Sequence, residues 1–203
     1  MIVYIHGANA TKDSFNYIRE HIACDDFCLE YDSRDGFNRN LSLMEFQLND
    51  EDNIFFIGHS LGGIYALHLA ERLGSQVKGA VTLSTPYGGS QSADFVKYFL
   101  PFSQLMRDIG PNSAPMRHIN NIEIKCPWTN VVTTRGSSTF MIQDNDGVVT
   151  LESMRHLKNK MTLIDVTLNH YEVVISPKVV DIIKESISDV QDYHANISVG
   201  GIK

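Results

Sequence analysis

Six short runs of apolar and β-branched residues alternate with segments whose apolar side chains recur at helical spacing. The runs are Ile2–Ile5, 27–31, 53–57, Val77–Leu83, Trp128–Thr133 and 161–166, each too short for a helix and rich in strand formers. Residues 14–24 carry Phe15, Ile18 and Ile22 on one helical face, and residues 40–49 carry Leu41, Met44 and Leu48. Leu61–Leu73 is a third helix stopped by Gly74, and 177–191 is a last one with Pro177 suited to its first turn. Strands that alternate with helices need crossovers, so the expected fold is α/β, with a parallel sheet and helices on both faces. Residues 91–124 break the alternation. They are strand-poor and mix proline with aromatics, which predicts short helices inserted after the fourth strand.

Composition narrows the function. The chain has 203 residues, which at about 150 residues per domain predicts a single domain over 1–203. With 43% hydrophobic and 20% charged residues it can bury a core, which excludes whole-chain disorder and coiled coil. No apolar run reaches the ~18–20 residues that cross a bilayer, so stable membrane insertion is not expected. Seventeen basic against 24 acidic residues leave a net charge of −7, a poor match to nucleic acid. Cys24, Cys28 and Cys126 are an odd set without metal-ligand spacing, and read as reduced core thiols. The first residues lack the basic segment and apolar run of a signal peptide, so a cytoplasmic location is the default expectation.

The stretch Phe55-Phe56-Ile57-Gly58-His59-Ser60-Leu61-Gly62-Gly63 carries the chemistry. It sets Gly-x-Ser-x-Gly between a strand and a helix. A serine on so tight a turn is strained, and glycines two positions either side let strand and helix backbones approach. The hydroxyl then projects above the carboxyl end of the sheet. The first free N–H groups of the helix face an oxyanion that develops there. The bland alternative is a serine that only caps the helix.

These residues resemble the nucleophile elbow of the α/β-hydrolase superfamily, in the form common in lipases and esterases. Further segments are similar to that family. Val3-Tyr4-Ile5-His6-Gly7-Ala8 resembles its strand and His-Gly oxyanion loop. Leu83 to Ser90 and Met106 to Ser113 resemble segments after the elbow helix of bacterial lipases. Asp144-Asn145-Asp146-Gly147-Val148-Val149 resembles the acid loop, and Asn169-His170-Tyr171 the histidine loop. The resemblance implies a minimal α/β-hydrolase fold of about six parallel strands, similar to small bacterial lipases, in which the family's two leading strands look absent.

In this fold the catalytic order along the chain is serine, acid, histidine. Ser60 is the expected nucleophile. Of eight histidines, only His170 follows the last strand within a few residues, which makes it the expected base. Asp146 is the expected acid, Asp144 its close rival and Asp165 a remoter one. The oxyanion hole is expected from the backbone N–H groups of Ala8 and Leu61. His6 reads as a packed loop residue, and Asn9 as a loop-structuring one. No metal or organic cofactor is expected.

The implied activity is cleavage of carboxylic esters through an acyl-enzyme. An acyltransferase or thioesterase would use the same triad, and a binding protein on a hydrolase fold is a further reading. The substrate is expected to be a small-molecule or lipid ester. His59 is expected to flank the acyl site. Phe99, in the aromatic stretch 95–102, is expected to line it, with 91–124 as a lid or acyl-pocket wall competing with ordinary core packing. An apolar wall suits an acyl chain because each buried CH₂ gains roughly 0.8 kcal/mol.

Overall fold

Side chains alternate across a strand, and in this protein both faces of the sheet are apolar. Val3, Ile5 and Phe56 point to one face; Ile2, Tyr4, Phe55 and Ile57 point to the other, and all are buried. The computed structural model describes residues 1–89, 108–136, 141 and 143–200. Its strands are β1 (Ile2–Ile5), β2 (Asp26–Leu29), β3 (Ile54–His59), β4 (Val77–Leu83), β5 (Trp128–Thr133) and β6 (Thr162–Val166). They form a six-stranded sheet in the order β2-β1-β3-β4-β5-β6, and every pairing is parallel.

The helices are α1 (Asn16–His21), α2 (Phe37–Leu48), α3 (Leu61–Leu73), α4 (Ala114–His118), α5 (Leu151–Met154) and α6 (Pro177–Gly200). Helices α2 and α3 cover the Val3 and Phe56 face through Leu41, Met44, Ile64 and Leu67. Helices α1 and α6 cover the opposite face through Ile18, Val179, Ile183 and Val190. The expected α/β architecture with helices on both faces is therefore present. Among the described residues no helix is long and apolar enough to cross a membrane.

Several boundaries differ from expectation: β2 is Asp26–Leu29 rather than 27–31, and the last helix runs on to Gly200. Strand β3 continues through Gly58 and His59, because Gly58 pairs with Thr82 and His59 with Leu83 in the ladder with β4. The first helix is shorter than 14–24. A 3₁₀ turn, Lys12–Phe15, precedes it, and the Thr11 side chain accepts from the Asp13 N–H at its start. Helix α2 starts at Phe37, three residues early, after Gly36 turns the chain at φ 87°. Phe37 then stacks on Tyr65 of α3, with ring centroids 4.4 Å apart.

Half of the expected insert 91–124, residues 91–107 with Phe99 among them, lies outside the described residues. Its described end holds α4, capped by Ser113, whose Oγ accepts from the Met116 N–H at 3.3 Å. The three cysteines are free thiols, as expected, but they are not core residues: Cys24 is exposed, and Cys28 and Cys126 are half-buried.

Candidate active site

The turn from β3 into α3 forces Ser60 to φ 53° and ψ −119°, a region that residues with a Cβ seldom adopt. The Ser60 N–H donates to the Leu83 carbonyl at 2.8 Å, which pins the turn to β4. Two glycines make the turn possible. A Cβ on Gly58 would lie 2.8 Å from the backbone of Gly62 and Gly63, and one on Gly62 would overlap the Ile5 carbonyl. The expected close approach of strand and helix is therefore built from these positions.

The loop after β1 lies against the same turn. A Cβ on Gly7 would be 3.3 Å from the Ser60 Cβ. Ala8 follows, half-buried. Leu61 is the first residue of α3, so its N–H has no helical carbonyl four residues back. Of the two expected oxyanion donors, Ala8 thus belongs to the loop packed against the Ser60 turn and Leu61 opens the helix that follows it. His6 is packed, as expected: its ring stacks on Tyr31 at 4.4 Å, and the Tyr31 hydroxyl donates to the His6 carbonyl at 2.9 Å.

Asp146 and His170 meet at the carboxyl ends of β5 and β6. His170 Nδ1 lies 2.8 Å from Asp146 Oδ2, and both side chains are almost wholly buried. The Thr133 hydroxyl donates to the same oxygen at 2.5 Å. The other oxygen, Oδ1, accepts the N–H groups of Val148 at 3.0 Å and Val149 at 2.8 Å. Four donors therefore converge on one carboxylate. Burial opposes its charge. The neighbouring His170 ring and these hydrogen bonds outweigh burial and hold the carboxyl below its ordinary range. A carboxylate only accepts, so Nδ1 of His170 is the donor in this pair. The rival Asp144 is exposed, and Asp165 is tied to Arg155 at 2.6 Å.

The histidine loop is shaped by Asn169, whose Oδ1 accepts the N–H groups of Tyr171 and Glu172, each at 2.9 Å. Glu172 accepts the Asn169 N–H in return and pairs with Arg135. His59 lies beneath the loop rather than open to it. Its Nε2 donates to the His170 carbonyl at 3.0 Å, and the two rings sit 4.9 Å apart. Full burial, followed by the nearby His170, pushes His59 down to about 3. Among the described residues, Ser60 Oγ and His170 form no hydrogen bond. Such contacts often tighten only once substrate is bound.

Sequence reasoning missed Thr133 and Ser84. Ser84 Oγ lies 2.8 Å from Thr133 Oγ1, so the buried line runs Ser84, Thr133, Asp146, His170. Thr133 gives its proton to Asp146, which leaves Ser84 as donor to Thr133. Thr133 closes β5 and Ser84 directly follows β4, the neighbouring parallel strand, at the end of the sheet where Asp146 and His170 meet. That position was the available signal.

A family model described as PGAP1-like alpha/beta domain matches residues 31–176. The span includes Ser60, Asp146 and His170 but not Ala8. No curated protein matches the sequence. Solved structures share the fold at low identity. A lipase-esterase related protein from Clostridium acetobutylicum is 18% identical, with a TM-score of 0.65 over 91% of this chain and 93% of its own. The monoacylglycerol lipase of Paleococcus ferrophilus is 15% identical, with a TM-score of 0.63 over 94% and 92%. A haloalkane dehalogenase variant from Bradyrhizobium elkanii is 12% identical, with a TM-score of 0.69 over 96% and 91%. These likenesses concern the fold, which hosts more than one chemistry.

Proposed function

The chain belongs to the PGAP1-like alpha/beta domain family, within the α/β-hydrolase superfamily, and we propose that it is a serine hydrolase of carboxylic esters. Ser60 is the nucleophile, His170 the general base and acid, and Asp146 the group that orients His170. The observation that carries the reading is the Asp146 carboxylate. It is buried and held by four donors, one of them His170 Nδ1 at 2.8 Å. So costly a buried anion serves a partner that gains positive charge, as a catalytic imidazole does.

The steps follow from the groups present. His170 Nε2 takes the Ser60 hydroxyl proton as Oγ attacks the ester carbonyl carbon. The carbonyl oxygen becomes an oxyanion, which the N–H groups of Ala8 and Leu61 stabilise. One such donor lowers a barrier by roughly 2.7–4 kcal/mol. The carbon–oxygen bond to the alcohol breaks, and the alcohol leaves with the proton from His170. Water then attacks the acyl-enzyme with His170 as base, and the acid departs as Ser60 recovers its proton. Asp146 stays ionised throughout and stabilises the imidazolium.

His59 holds the His170 backbone from below in this scheme, a positioning role beside the acyl site. The substrate is a small-molecule or lipid ester, handled by one unit that spans the chain. The test is hydrolysis of p-nitrophenyl esters from acetate to palmitate, wild type beside Ser60→Ala. A rate that depends on Ser60 is the expected result, and its chain-length optimum reports the acyl pocket. Folded protein that neither turns over these esters nor labels at Ser60 with a fluorophosphonate would overturn the reading.

A further inference from the structure

Two turns along α3 from Ser60, on the face that meets α4, three metal-ligating side chains converge. They are His68 and Glu71 of α3 and His118, the last residue of α4. We propose that they form a binding site for a divalent transition-metal ion of the zinc type, separate from the ester-hydrolysing centre.

The spacing within α3 supplies the first half of the site. Residues three apart on a helix are neighbours on one face, so His68 and Glu71 project side by side. The chain returns after a long excursion, and α4 delivers His118 to the same place. Its Nε2 lies 2.6 Å from Glu71 Oε2, and its ring stacks on that of His68 at 5.5 Å. A donor atom from each of the three residues lies within 4.8 Å of the other two.

The second observation is independent of the cluster. His68 is only 5% exposed, and its Nε2 is buried with no hydrogen-bond partner. Buried polar atoms are nearly always satisfied, so an orphan ring nitrogen needs an explanation. A bound cation supplies it.

The donor set selects the ion. Two imidazoles and one carboxylate suit zinc and its neighbours, whereas magnesium and calcium prefer oxygen ligands alone. Water would complete a tetrahedron. Ligands ~2.1 Å from a tetrahedral ion stand about 3.4 Å apart. The Glu71–His118 hydrogen bond must therefore open by under about 1 Å, and His118 must release its Nε2 proton. Both side chains are partly exposed, at 38% and 48%, and can make that move. The bound ion would tie α4, and with it the described end of the 91–124 stretch, to the helix that begins at the nucleophile.

The test is zinc binding by tag-free full-length protein, by equilibrium dialysis with metal analysis and by thermal unfolding. Cobalt serves as a spectroscopic stand-in for four-coordinate geometry. The expected result is one equivalent of zinc, a rise in Tm of several degrees, and no effect of magnesium at the same concentration. Glu71→Gln and His118→Ala alter exposed side chains and should fold. Each should weaken binding at least about 10-fold. His68→Gln should do the same, and Ser60→Ala should bind as wild type does. No stoichiometric zinc, or binding undiminished in Glu71→Gln and His118→Ala, would overturn the proposal.

Discussion

Asp146 and His170 are joined twice, by side chain and by backbone. His170 Nδ1 meets Asp146 Oδ2 at 2.8 Å, and the His170 N–H donates to the Asp146 carbonyl at 3.1 Å. The acid loop and the histidine loop are thus one hydrogen-bonded unit at the carboxyl ends of β5 and β6.

That unit gives Asp146→Asn a large effect. An asparagine would turn an amide group toward donors that now meet a carboxylate, and it would favour the wrong tautomer of His170. Ester turnover should fall by about 10³–10⁴, as expected for loss of the acid in such a triad. Asp144→Asn, at an exposed position, should stay within about two-fold of wild type. Side-by-side kcat measurements decide the assignment, and the reverse ranking would overturn it.

Thr133 acts through Asp146. Thr133→Val removes one of four donors from the carboxylate and strands the Ser84 hydroxyl. Stability should drop by about 1–3 kcal/mol. Turnover should fall roughly 10-fold with the acid limb of the pH profile moved upward, because the carboxylate loses a hydrogen bond that favours its charge. Thr133→Ser should restore both. A valine variant with an unmoved pH profile would assign the residue to packing alone.

The backbone of Ser60 makes a separate prediction. Ser60→Ala and Ser60→Gly both remove the hydroxyl and should both abolish turnover. Only glycine relieves the positive φ of 53°. Denaturant unfolding should therefore rank Ser60→Gly above Ser60→Ala by about 1 kcal/mol. Equal stability of the two variants would mean that the turn stores no such strain.

His59 controls the acid side of the stability curve. Its pKa falls from about 6.5 in the unfolded chain to about 3 in the folded one. Between those values the unfolded chain binds the extra proton, so stability declines as pH drops from about 6.5 toward 3. The loss is on the order of several kcal/mol. Asp146 adds a loss of the same sign below about pH 4, as the acid is protonated through its lowered folded value. His59→Gln keeps a donor for the His170 carbonyl and should flatten the slope between pH 5 and 7. Urea midpoints at those two pH values measure it, and an unchanged slope would point to His68, which burial also pushes down, to about 4.

The ends of β1, β4 and β5 and both ends of α3 lie where apolar patterning sets them, because these elements are buried and their stop residues are local. Gly74 ends α3, as its place after Leu73 suggests. The misplaced start of α2 came from tertiary contacts: Phe37 belongs to the helix because it stacks on Tyr65, which lies 28 residues further on. The residues proposed for catalysis were legible because each sits at a strand end with motif neighbours. Thr133 and Ser84 were not, because a hydroxyl is chemically silent until the sheet brings it to a carboxylate. His68 carries no signal in the sequence, since its partner His118 comes from α4, 50 residues later.

The two-point link between Asp146 and His170 also divides the chain in an unequal way. Everything proposed to move a proton comes from the last two strands, and everything proposed to touch the acyl carbon comes from β1 and β3. Strand β4 lies between them in the sheet and lends Ser84 to one side and the Leu83 carbonyl to the other. A polypeptide severed between β4 and β5 would leave two fragments with complementary halves of the chemistry. Their rejoining would re-form the parallel seam from Ala80 and Trp128 to Leu83 and Val131 and repack α6 beneath Phe55, Ile57 and Val81.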